Sequence, residues 1–62
     1  MCESSVFLEK EGEQELVLAE VAYMKPTEEG WLLTTIFGEK KAVAGRIKEI
    51  NLLDHKIILT AP

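Results

Sequence analysis

One cysteine, Cys2, is all the sulfur chemistry that 62 residues offer beyond two methionines, so no disulfide can close within the chain. At this length only about 60% of the unfolded surface is buried on folding, and the core is thin. Natural chains of this size add disulfides, a metal or a second subunit, because one small core rarely supplies more than roughly 3–5 kcal/mol. With the first route closed, the expectation is oligomerisation, a metal, or both.

Other absences narrow the function. His55 is the only histidine, and no Ser/His/Asp set, second cysteine or glycine-rich phosphate loop is present, so catalysis has no visible machinery and the reading is a non-enzyme. No apolar run approaches the roughly 20 residues of a membrane-spanning helix. The first residues lack the basic and apolar regions of a signal peptide, so a cytoplasmic protein is expected, with its thiol kept reduced. Seven basic against eleven acidic side chains give a net charge of −4, which disfavours non-specific attraction to phosphate backbones or anionic membranes. At 47% hydrophobic and 29% charged, the composition suits a folded domain.

What is present reads as short strands and turns. No stretch keeps a helical i, i+3, i+4 stripe for more than two turns. Ser5–Lys10 is β-branched and aromatic, and the polar turn Glu11-Gly12-Glu13-Gln14 leads to a return through Glu15–Leu18. Glu20–Lys25 is read as a strand ending at Pro26, and Trp31–Ile36 as another beyond the turn Glu28-Glu29-Gly30. Lys41–Asn51 is expected as the longest strand, with Val43 and Ile47 on one parity and Arg46 and Lys48 on the other. Gly45 interrupts it as a bulge or bend, after which Ile50 and Leu52 are expected to point inward. A turn at Leu53-Asp54-His55 precedes the closing strand Lys56–Thr60. The whole is expected to be one all-β domain over residues 1–62, an SH3-like antiparallel barrel or strongly curved sheet of five to six short strands. Phe7, Tyr23, Trp31 and Phe37 cannot all fit inside so small a barrel, and the surplus suggests a homodimer about a two-fold axis.

Cys2 is the most informative residue. Its thiolate stands close to nitrogens that can be deprotonated: the α-amine if Met1 is removed, or its own amide if Met1 stays. Two such N,S pairs meeting on a two-fold axis would give a planar field suited to Ni(II) or Cu(II), whereas Zn(II) prefers a tetrahedron. The alternative is a small, inert, partly buried hydrophobe, and the pattern alone leaves that open. His55, in a turn beside Asp54, is read as structural, and Glu9, Glu11, Glu13 and Glu15 as a solvated edge lacking the register of a calcium loop. Lys40, Lys41, Arg46, Lys48 and Lys56, with Phe37, form the alternative: a basic strip with a stacking aromatic, as on a small RNA-binding barrel, though Glu39 and Glu49 interleave with it.

Three segments carry a resemblance: Met1-Cys2-Glu3-Ser4, Ile36-Phe37-Gly38-Glu39-Lys40-Lys41, and Arg46 through Leu59. Together they resemble the CooT family of small nickel-binding proteins, accessory to the maturation of nickel-containing carbon monoxide dehydrogenase. Relatives have also been labelled predicted RNA-binding proteins. The resemblance spans essentially the whole chain and is weakest between Gln14 and Gly30. It implies a homodimer of β-rich subunits with Cys2 as the Ni(II) ligand and a nickel enzyme as client.

Overall fold

The computed structural model describes residues 3–62, and six strands account for most of them. They are β1 (Ser4–Lys10), β2 (Glu13–Pro26), β3 (Gly30–Thr35), β4 (Lys40–Ala44), β5 (Arg46–Asn51) and β6 (Lys56–Thr60). All lie in one sheet in the order β4-β3-β2-β1-β6-β5.

Two features depart from a purely antiparallel barrel. β1 and β6 run parallel, with Ser5 opposite Lys56 and Glu9 opposite Thr60, so the sheet is mixed. No ladder joins β4 to β5, so the barrel is not closed. The sheet is nevertheless curled, because Gly45 alone links β4 and β5, which lie at its opposite edges. Flat, six strands about 4.8 Å apart would hold those edges on the order of 24 Å apart. The two bonds across one residue span about 7 Å at most.

Gly45 makes that corner with φ 140°, a region that L side chains avoid, and a Cβ there would lie 2.3 Å from the Thr60 carbonyl oxygen. Its N–H donates to the Glu29 carbonyl at 3.2 Å. The expected strand Lys41–Asn51 is therefore two strands meeting at a bend, and the longest strand is instead the 14-residue β2. β2 turns its own corner at Glu20, where φ is 59°. Residues before it pair with β1 and residues after it with β3, Val21 pairing with both. The segments Glu15–Leu18 and Glu20–Lys25 are thus one strand shared by two neighbours. The β1–β2 hairpin closes through two residues, Glu11 and Gly12, both at positive φ as a type I′ turn requires.

The core is Val6, Val21, Leu33 and Leu59, with Leu8, Val17, Leu18, Met24, Trp31, Val43, Ile47 and Ile57 packed against it. Val43 and Ile47 are half-buried and Arg46 and Lys48 exposed, as their parity requires. Beyond the bend the parity expectation fails: Ile50 is 50% and Leu52 80% exposed. A register shift between Ile47 and Glu49 rotates the strand, and Leu52 has already left the ladder.

On the opposite side, Phe7 lies across from Leu16 on β2 and Ile58 on β6. Charged side chains cover this row. The Lys48 ammonium pairs with the Glu9 carboxylate, and Lys56 sits 4.9 Å from the centroid of the Phe7 ring. Ile58 is consequently buried although it lies outside the core cluster.

Candidate metal centre

The site expected on Cys2 lies outside the described residues, which begin at Glu3. What can be described is the ground from which it leaves. Ser4 pairs with Val21 of β2, and Val21 pairs with Thr35 at the end of β3. The Ser5 N–H donates to the His55 carbonyl at 2.9 Å, and the Ile36 N–H to the Glu20 carbonyl at 3.0 Å. The β3–β4 and β5–β6 turns therefore stand on either side of the start of β1, in one row across the sheet.

Both turns are held by their own side chains. Thr35, 5% exposed, accepts from the N–H groups of Phe37 and Glu39 at its Oγ1, each at 3.2 Å. Gly38 follows at φ 89°. In the other turn the Asp54 N–H donates to Asn51 Oδ1 at 3.0 Å, and Asn51 Nδ2 donates to Asp54 Oδ2 at 3.2 Å. The capping acceptor is thus Asn51. His55 takes φ 53° and faces solvent.

These turns hold apolar side chains outward. Phe37 is 70% exposed, Leu52 80% and Leu53 90%, and Ile36 and Tyr23 lie near the same row at 44% and 58%. Turn residues are usually polar, and five large apolar side chains around one chain start are more than scattered surface apolars. Tyr23 and Phe37 were among the aromatics expected as surplus, whereas Leu52 was expected inside and Leu53 only as part of a turn. Ile36 was read as the end of a strand, and only the turn fixed by Thr35 carries it outside.

The carboxylates divide. Glu9 accepts from Lys48 and, at 3.3 Å, from Gln14, and these two partners, Lys48 first, hold its carboxyl below the usual range. Glu11, Glu13 and Glu15 are exposed around the hairpin. Among the described residues no three His, Cys, Asp or Glu side chains stand close enough to hold a metal. Glu3 is different: its Oε2 is out of solvent and meets no hydrogen-bond partner among the described residues. A buried acceptor at the start of the chain calls for a donor.

In the basic strip, Lys48 pairs with Glu9 and Lys56 lies over Phe7, while Lys40 and Lys41 are on β4 and Arg46 is on β5, the two strands that meet at Gly45.

The site thus consists of a small curled sheet with exposed apolar side chains near its chain start, a surface suited to binding. The family model for the CO dehydrogenase accessory protein CooT matches residues 1–60, and the chain belongs to that family. It is accordingly an accessory protein of a CO dehydrogenase and not itself a catalyst. A crystal structure of a candidate CooT from Carboxydothermus hydrogenoformans is 43% identical over 98% of both chains, with a TM-score of 0.92. No curated protein matches the chain. No helix among the described residues is long and apolar enough to cross a membrane.

Proposed function

We propose that two copies of this chain meet at the ends from which their chains start and hold one Ni(II) as cargo between two Cys2 thiolates, for delivery in the cytoplasm to a nickel-containing CO dehydrogenase. The observation that carries this reading is the rim formed by Ile36, Phe37, Leu52 and Leu53 around Ser4 and Ser5. Covering that rim with its own symmetry copy removes four exposed apolar side chains per chain from water and brings the two chain starts together.

The donors fit the ion. A thiolate and a backbone or terminal nitrogen from each chain make an N₂S₂ set, which suits planar Ni(II) better than tetrahedral Zn(II). The unmatched Glu3 Oε2 adds an acceptor beside Cys2 for an N–H at the chain start or across the two-fold axis. Cys2 serves as ligand because a thiolate is softer than any other side chain near it, and Glu3 serves to orient.

An N-terminal extension tests this cheaply, since it alters the terminal nitrogen and crowds the axis. The untagged protein should develop a sulfur-to-nickel charge-transfer absorption that the tagged protein lacks. Equal absorption in both would overturn the terminal chelate. Binding releases protons from thiol and nitrogen, so apparent affinity should fall as pH drops.

A further inference from the structure

The sheet has three unpaired edges: β5, β4, and the first half of β2 on the side away from β1. The β5 edge carries charge along most of its length, at Arg46, Lys48 and Glu49. The other two carry it at one end only, Lys40 and Lys41 on β4 and Glu13 and Glu15 on β2, and run apolar beyond, through residues 42–44 and 16–18. Residues 41–44 of β4 and 15–17 of β2 line the two walls of a cleft of about 440 Å³, with Leu8, Ala61 and Pro62 completing it. Three or four consecutive residues come from each strand, so the backbone edges themselves face the gap. The lining is apolar apart from Glu15 on one wall and Lys41 on the other. Ala42 and Ala44 leave room beside β4 for another chain's side chains.

We infer that this cleft receives an extended peptide segment of a partner protein, which adds to β4 as a further strand. The β4 edge supplies the main-chain hydrogen bonds, and the core-side floor of Leu8 and Val17 takes apolar side chains from alternate positions of the segment. Charge sets the register: the segment carries an acidic residue where it passes Lys41 and a basic one where it passes Glu15. The volume lies within the range of ordinary recognition clefts. This surface is separate from the rim at the chain start and does not depend on the metal reading.

The test uses the full chain and the acetylated, amidated heptapeptide Lys-Val-Thr-Val-Thr-Val-Glu, followed by amide hydrogen exchange and ¹⁵N chemical shifts. Binding should slow exchange at β4 amides about ten-fold, the scale of one hydrogen bond gained. A peptide N-methylated at alternate residues should not bind. K41E or E15K should each weaken binding about three-fold, as exposed ion pairs do. The double variant K41E/E15K should recover affinity for the charge-swapped peptide Glu-Val-Thr-Val-Thr-Val-Lys. Both positions are exposed, so these variants keep the fold. No peptide binding at millimolar concentration, or N-methylation without effect, overturns the inference. So does β4 protection already present in the free protein and lost on dilution, because a second copy then occupies the edge.

Discussion

Replacing Leu53 by Glu should separate assembly from folding. Leu53 is 90% exposed in a turn whose geometry is set by Asn51 and Asp54, so the single chain loses almost no packing. Its intrinsic stability should change by no more than about 0.5 kcal/mol. In a two-fold assembly the same side chain is lost twice. Fully burying one leucine side chain is worth about 1.5–3 kcal/mol, so even the low end gives about 3 kcal/mol per dimer, before the cost of burying two carboxylates. That raises the dissociation constant about 100-fold. Sedimentation equilibrium across a dilution series reads the constant, and urea unfolding at the dilute limit reads the isolated chain. Unchanged association in L53E, with Leu52→Glu equally silent, would refute the reasoning that this rim joins two copies. Loss of folding at the dilute limit would show that the turn is not the exposed feature described.

Other consequences are independent of assembly. Thr35→Val should cost about 1–3 kcal/mol in unfolding free energy, because it strips the acceptor from two turn amides while keeping the side-chain volume; an unchanged urea midpoint would contradict that role. Gly45→Ala should cost at least about 1–3 kcal/mol, since its Cβ meets a backbone oxygen at a strained φ; calorimetry showing no loss would mean the corner can move. Glu9 has a depressed folded carboxyl value, so its contribution is present above the unfolded value of about 4.3 and is lost as pH falls through the lower folded value. Glu9→Gln should flatten that acid limb, and identical limbs in both proteins would count against the Lys48 pairing.

Local chemistry made the elements legible. β-branched runs between Gly and acidic turn residues marked β1, β3 and β6, and the parity of Val43, Ile47, Arg46 and Lys48 marked which side each takes. Pairing was not legible. The parallel ladder of β1 with β6 joins residues about fifty positions apart, and neither strand carries a mark of its partner. Nor does propensity announce that Glu20, without glycine's freedom, turns a corner at positive φ and makes two expected strands one. The register shift before Glu49 had the same effect on Ile50, whose outward position follows from the bulge and not from alternation. For the site, Cys2 stood out as the lone thiol, but the apolar rim is visible only once the two turns stand on either side of Ser4 and Ser5.

Nickel titration of the untagged protein, with stoichiometry and association state measured on the same sample, tests the central claim most directly. The account predicts saturation at one Ni(II) per two chains, with charge-transfer absorption that Cys2→Ser abolishes while its dimer persists. Full nickel affinity in Cys2→Ser, or saturation by a strictly monomeric protein, would contradict it.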